Sequence, residues 1–106
     1  MSNRYKNPKH NGWIHEQPCI LARFSPCNGS PTQGHHLMRP WHGKRGASRK
    51  SNDRNLVPMC AIHHRALHDR GDEDAFFLET AKNDGWGRYS AQFLWLTSPH
   101  YKAENV

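Results

Sequence analysis

The residues best suited to chemistry cluster between positions 60 and 68, in the segment Cys-Ala-Ile-His-His-Arg-Ala-Leu-His. His64 and His68 are four residues apart, so on a helix they project from one face, one turn from each other. Two imidazoles in that arrangement can share one divalent ion. A pair of solvated helix histidines has the same spacing, so a metal site here needs a third ligand from elsewhere in the chain.

The sequence Gly-His-His-Leu at residues 34–37 can supply that ligand. In a strand, His35 and His36 point to opposite faces, so one can bind a metal while its neighbour does different chemistry. Two adjacent histidines can also be ordinary surface residues. The pair becomes more informative because Asn55 and then the two helix histidines follow it in order.

A second group of ligand-type side chains surrounds the start of the same helix. Cys60 and His63 lie about 90° around the helix from the first pair, since each residue turns about 100°. Cys19 and Cys27 complete a set of three thiolates and one imidazole, which is typical of a closed structural zinc site. Such a site adds folding free energy to a chain with a small core. Three free thiols buried as small apolar groups are the alternative.

Positive charge is concentrated in the first half of the chain. The 106 residues carry a formal net charge of +6. Residues 1–54 contribute +8, from ten Lys/Arg and two acids, and residues 55–106 contribute −2, from five Lys/Arg and seven acids. The basic stretch 39–54 also contains glycine and serine, so it is predicted to be a long loop suited to contacting phosphates. A solvated basic loop without a partner is the simpler interpretation.

Length and composition exclude several classes of protein. A chain of 106 residues suits one domain and not a multi-domain enzyme. No apolar run approaches the ~20 residues of a membrane span, and residues 1–12 lack the apolar segment of a secretory signal. Three cysteines cannot all pair with one another. Without a secretory signal, a reducing, cytoplasmic compartment is expected, where metal ligation is commoner than disulfide formation.

The elements that position these side chains are predicted to be short. Residues 1–12 have the composition of a loosely held arm. Residues 19–24 and 33–38 are predicted to be strands separated by a turn rich in proline and glycine. Residues 55–59 are predicted to form a brief extended segment.

Helices are predicted in the second half, over residues 61–70, 72–82 and 86–96. The first is expected to end at Gly71, and acids at the start of the second favour the positive end of the helix dipole. The third carries an apolar stripe with helical spacing, which predicts core packing. This stripe consists of Trp86, Tyr89, Phe93 and Leu96.

The order of these motifs resembles that of the HNH nuclease family. The motifs are Gly34-His35-His36, Asn55-Leu56-Val57-Pro58-Met59-Cys60, His63-His64 and His68. The family has the ββα-metal (His-Me finger) fold and includes bacteriocin DNases and many phage-encoded nucleases. The resemblance covers about residues 19–70. The three cysteines, Cys19, Cys27 and Cys60, look like those of a zinc-bound, prophage-encoded subgroup of the family.

The resemblance implies an α+β fold with a small ββα-metal core. That core would span about residues 33–71, carry a structural zinc site and be followed by a helical segment at about residues 72–98. The whole would be a single nuclease domain, residues 16–106, after a flexible basic arm at residues 1–15.

The resemblance also implies roles for individual residues. His36 would be the general base, and Asn55 would brace the adjacent loop and orient His36. The ligands of a catalytic Mg, Mn, Ni or Zn ion would be His35, His64 and His68. The ligands of the structural zinc would be Cys19, Cys27, Cys60 and His63. Many relatives have a second cysteine where this chain has His63, so the fourth zinc ligand is the less secure one.

The implied function is a metal-dependent DNA endonuclease that leaves 5′-phosphate and 3′-hydroxyl ends, from a cytoplasmic protein of phage or prophage origin. Their charge and position make six cations candidates for contact with DNA phosphates. These are Arg39, Lys44, Arg45, Arg49, Lys50 and Arg65. A non-catalytic, zinc-stabilised nucleic-acid-binding module is the alternative. It would need only the cysteine-histidine set and the basic residues.

Overall fold

The computed structural model describes residues 5–27, 31–43 and 50–102, which contain two short strands and four helices. The elements in chain order are α1 (Pro8–His15), β1 (Gln33–His36), a 3-10 turn (Asp53–Asn55), β2 (Leu56–Met59), α2 (Ala61–Arg70), α3 (Glu73–Ala81) and α4 (Trp86–Thr97). This composition confirms the predicted α+β class. Over the described residues, no helix has the length and apolar character required to cross a membrane.

The two strands form an antiparallel sheet that separates the two adjacent histidines. Gln33 pairs with Met59 and His36 with Leu56, and all four residues of β2 are buried. In β1, His35 is buried and His36 is partly exposed. This burial pattern fits the alternation of side chains along a strand. The sheet therefore directs two neighbouring imidazoles into different environments.

Helices α2 and α3 begin and end at the predicted signals. Helix α2 stops at Gly71, which has a φ of 77° and donates its N–H to the carbonyl of Leu67. This left-handed conformation favours glycine. Helix α3 starts after Asp72, whose side chain accepts a hydrogen bond from the N–H of Ala75 at 3.1 Å. Local sequence signals are sufficient to place both helices.

Two predictions for the N-terminal region are wrong. Residues 8–15 form α1 instead of part of a flexible arm, because Asn7 caps the N–H of His10 and a proline occupies the first turn. His10 and Ile14 of this helix are buried. Residues 19–24 form consecutive turns and not a strand.

Helix α4 has the predicted position, but its buried face is not the predicted one. Tyr89, Phe93 and Leu96 are each more than half exposed. The buried face consists of Gly87, Ser90, Ala91 and Trp95. A Cβ atom on Gly87 would lie 2.6 Å from Cε2 of Phe77, so the close approach to α3 requires a small residue there. This packing turns Tyr89, Phe93 and Leu96 outward, so the prediction that the stripe is core is wrong for these three residues. Trp86, the fourth, is partly buried and packs against the core.

Candidate metal centres and active site

Three cysteines and one histidine converge on a single point. The Sγ atoms of Cys19, Cys27 and Cys60 lie 3.4, 3.8 and 3.2 Å from Nδ1 of His63. All four ligand atoms lie within 4.8 Å of one another. A tetrahedral zinc ion with Zn–S of about 2.3 Å and Zn–N of about 2.0–2.1 Å would place sulfur and nitrogen about 3.6 Å apart. The donor set and its spacing therefore fit a structural zinc ion.

This Cys3His cluster joins a loop to the beginning of a helix. Cys60 is the last residue before α2, and His63 lies in the first turn of that helix. Cys19 and Cys27 come from the loop after α1, which is fixed to β2 where the N–H of Ile20 donates to the carbonyl of Pro58 at 3.0 Å. A metal bound here would hold the start of α2 against this loop.

Without a metal ion the Cys3His cluster holds protons on its thiols, so binding of a cation would release them. Desolvation and the neighbouring thiols of Cys60 and Cys19 raise the pKa of the Cys27 thiol to about 12. Burial lowers the pKa of His63, so its imidazole is neutral at pH 7. Close thiolates repel one another, and a divalent ion offsets that repulsion and stabilises them.

A second cluster brings together the three histidines predicted to bind a catalytic ion. Nε2 of His64 lies 3.3 Å from Nδ1 of His35 and 3.1 Å from Nε2 of His68. Two nitrogens bound to one ion at about 2.0–2.1 Å lie about 2.8–3.4 Å apart, from octahedral to tetrahedral geometry. The three nitrogens are thus arranged as ligands of one divalent ion between β1 and α2.

Hydrogen bonds on the far sides of the rings orient two of these histidines. Nε2 of His35 lies 2.9 Å from Oε2 of Glu73, and Nδ1 of His64 lies 2.8 Å from Oε1 of Gln33. Metal-binding histidines commonly donate their other N–H to such an oxygen, which fixes the tautomer of the ring. These contacts direct Nδ1 of His35 and Nε2 of His64 towards the shared point.

The charges at the histidine cluster suit metal binding at neutral pH. Burial, with His35 and His68 nearby, lowers the pKa of His64 to about 4. Burial acts to raise the pKa of Glu73, but hydrogen bonds from His35 and from the N–H groups of Met38 and Arg39 outweigh it, so the net pKa is lowered. At pH 7 the site therefore presents a neutral His64 and an ionised Glu73, which are the forms that ligation requires.

The candidate base His36 is held by a carboxylate that the sequence analysis did not identify. Nε2 of His36 lies 2.8 Å from Oδ1 of Asp53, and only 12% of the His36 side chain is exposed. The other oxygen of Asp53 accepts the N–H of Asn7 at 2.8 Å. Nε2 is therefore the ring nitrogen that faces Asp53, and Nδ1 lies on the other side of the ring.

Asn55 braces the loop after β1 from a fully buried position. Its Oδ1 accepts the N–H groups of Trp41 and His42 at 2.9 and 3.1 Å, and its Nδ2 donates to the carbonyl of His42 at 3.0 Å. The predicted bracing of the loop corresponds to these contacts. The predicted contact with His36 is made by Asp53, two residues earlier, whose carboxylate accepts from Nε2 of His36.

The six cations predicted to contact DNA are only partly within the described residues. Arg39 is exposed, and its Nε lies 3.6 Å from a carboxylate oxygen of Asp74. Arg65 is exposed on α2 beside His64, and Lys50 is exposed where the described chain resumes. The other three lie outside the described residues. They are Lys44, Arg45 and Arg49.

Comparison with known proteins places the chain in a family without assigning it an activity. Residues 1–80 match the family described as "Protein of unknown function (DUF968)", and the chain belongs to that family. The matched region contains both ligand clusters and ends before α4.

One curated relative is "Uncharacterized protein YdfU" of Escherichia coli (strain K12), with 35% identity over 66 residues. That match covers 61% of this chain and 17% of the relative, so this chain corresponds to a small part of the longer protein. No solved structure matches the chain.

Proposed function

We propose that this chain is a metal-dependent DNA endonuclease with an HNH-type ββα-metal centre. The observation that carries the proposal is the convergence of His35, His64 and His68, with His36 next to this cluster on β1 and paired with Asp53. The order β1, β2, α2 and the helical position of two of the ligands also support it. A metal-ligand cluster beside a carboxylate-paired imidazole is a combination that can support hydrolysis of a phosphodiester.

The histidine cluster suits phosphodiester hydrolysis because its ligands are uncharged. A divalent ion bound there would retain its full charge and stabilise negative charge on the scissile phosphate and the leaving oxygen. His64 and His68 present their imidazoles from one face of α2, and His35 presents its own from β1. Three protein ligands leave coordination positions for a phosphate oxygen.

His36 is proposed to be the general base. Its Nδ1 accepts a proton from water while Asp53, on the opposite side of the ring, stabilises the resulting imidazolium. The water oxygen forms a bond to phosphorus, and the bond from phosphorus to O3′ breaks. The leaving oxygen takes a proton from solvent, so the products are a 3′-hydroxyl and a 5′-phosphate.

Plasmid cleavage tests this function directly. Purified protein incubated with Mg²⁺, Mn²⁺, Ni²⁺ or Zn²⁺ is expected to convert supercoiled plasmid to nicked or linear forms. His36→Ala should abolish cleavage while metal content and DNA binding remain. His15→Ala, which removes an exposed imidazole from α1, is the matched control and should cleave normally. An inactive wild type with every one of these ions would refute the proposal.

A second candidate is a non-catalytic, zinc-stabilised nucleic-acid-binding module. It is favoured by one observation: the Cys3His cluster is complete without any residue of the histidine cluster. This module would bind one metal ion per chain, whereas the nuclease binds two. Elemental analysis of wild type and of His64→Ala separates the two, because only a nuclease with two sites would lose one ion and keep the other.

A further inference from the structure

A groove lined by lysines and tyrosines lies where the two ends of the described chain meet. Its volume is about 540 Å³, and it runs between residues 5–9 and residues 99–102. Its cations are Lys6, Lys9 and Lys102, all exposed, and its aromatic side chains are Tyr5 and Tyr101. No carboxylate lines it within the described parts of the chain.

The walls of this groove are fixed by contacts with the rest of the fold. The Tyr5 ring lies beneath the Arg54 guanidinium, at 3.9 Å from the ring centroid, and packs edge-on against Trp95. The Tyr101 ring also contacts Trp95. Nδ2 of Asn7 donates to the carbonyl of His100 at 3.0 Å and so joins one wall to the other. A groove that is ordered in advance loses less entropy when it binds.

The same groove lies close to the candidate base. The N–H of Asn7, in one wall, donates to Asp53 at 2.8 Å, and the other oxygen of Asp53 lies 2.8 Å from Nε2 of His36. A single carboxylate therefore separates the groove wall from the imidazole. The groove wall therefore lies next to the residue that holds the candidate base.

We propose that this groove binds the sugar-phosphate backbone of DNA a few nucleotides from the scissile phosphate. The inference rests on the proposed function and adds a DNA contact surface beyond the six cations predicted from the sequence. Lysine ammonium groups neutralise phosphates, and tyrosine hydroxyls donate hydrogen bonds to phosphate or sugar oxygens. Such contacts fix the position of the duplex and carry no sequence preference.

The salt dependence of DNA binding tests this surface. Binding of a short fluorescent duplex is measured by anisotropy over a range of KCl concentrations, in a His36→Ala background that prevents cleavage. The variant Lys6→Gln/Lys9→Gln/Lys102→Gln should reduce the log–log salt slope by about 0.9 for each phosphate that is no longer neutralised, with affinity roughly tenfold lower at low salt. Circular dichroism checks that the variant is folded.

A charge-matched control separates local contacts from net charge. Arg23→Gln/Arg70→Gln/Lys82→Gln removes the same charge from exposed positions outside the groove lining and should leave the slope nearly unchanged. Equal slopes for the two triple variants would overturn the proposal. So would weaker binding of the lysine variant to anionic phospholipid vesicles with its duplex binding intact, which would identify a lipid surface. These measurements need no cleavage, so they remain informative if the nuclease proposal fails.

Discussion

Two carboxylates, Glu73 and Asp53, control the two histidines of β1. Glu73 contacts the far nitrogen of His35 and directs the near one towards the histidine cluster. Asp53 contacts Nε2 of His36, on the side of the ring opposite Nδ1. Under the proposed function, the same type of contact would prepare one imidazole as a ligand and its neighbour as a base. The proposed division of labour can be tested one carboxylate at a time.

Asp53→Asn should reduce kcat by about 100-fold or more, because an amide neither favours the required tautomer of His36 nor stabilises its imidazolium. KM and the number of bound metal ions should stay unchanged. Steady-state kinetics on a labelled duplex and elemental analysis provide these values. Asp84→Asn changes an exposed acid in the turn before α4 and is the control. A parallel loss of metal ions would mean that Asp53 is only a structural residue.

Glu73→Gln should weaken metal binding at the histidine cluster by about 10–100-fold, since the carboxylate orients His35 and increases its basicity. The Cys3His cluster shares no residue with this contact and should keep its ion. Calorimetric titration of protein loaded with one zinc ion measures the second affinity. Glu79→Gln, at an exposed position on α3, should behave as wild type. Equal metal affinities of the Glu73→Gln and Glu79→Gln variants would show that Glu73 does not orient a metal ligand.

At the scale of elements, sequence signals are sufficient where the controlling interactions are local. The residue pattern and Gly71 predict helix α2, and spacing, histidine pairs and family resemblance together indicate both ligand clusters. The contacts of Asp53 and Glu73 span 17 and 38 residues, so no local pattern indicates them. Glu73 in particular has the sequence context of an ordinary acid at a helix start.

The outward aromatic face of α4 has the same kind of non-local cause. Hydrophobic periodicity marks Tyr89 and Phe93 as core, but the space available beside α3 admits only a glycine at position 87. The face that carries Gly87, Ser90, Ala91 and Trp95 therefore packs inward, and the rings of Tyr89 and Phe93 stack along the outside of the helix. Periodicity identifies an apolar face, whereas steric fit decides which face is buried.

Gly87→Ala should destabilise the fold by about 1–3 kcal/mol, because the new methyl group would overlap the Phe77 ring in a packed interface. Urea denaturation gives the change in the free energy of unfolding. Gly12→Ala is the matched control, since a Cβ there meets nothing within 4 Å. That helical position should gain about 0.5–1 kcal/mol from the substitution. If Gly87→Ala left the free energy of unfolding unchanged, α4 would be able to move away from α3 without a loss of stability.

At the scale of the whole molecule, the two ends of the described chain meet behind the candidate base. The N–H of Asn7 binds Asp53, the side chain of Asn7 binds the carbonyl of His100, and His10 contacts Ser98. Segments distant in sequence therefore support the residue that holds His36. Loosening this junction should affect both the stability of the fold and the position of the base.

His10 makes that junction sensitive to acid. Its side chain is fully buried, with Nδ1 2.9 Å from the Ser98 hydroxyl and the ring edge-on to Trp95. Burial lowers the pKa of His10 from 6.5 to about 4. The nearby charge of Asp53 acts in the opposite direction, and His100 adds a smaller lowering effect. The unfolded chain therefore binds a proton at this residue below about pH 6.5, whereas the folded chain does so only near pH 4.

The free energy of unfolding should consequently fall between pH 6.5 and pH 4, with His10 accounting for at most about 3 kcal/mol of the loss. His63 and His64 also have lowered pKa values, so the total pH dependence is not specific to His10. The test is the difference in unfolding free energy between wild type and His10→Gln, measured by urea denaturation at several pH values. Because glutamine does not titrate, this difference should shrink as the pH falls through the window. A constant difference would show that His10 does not control the acid sensitivity of the junction.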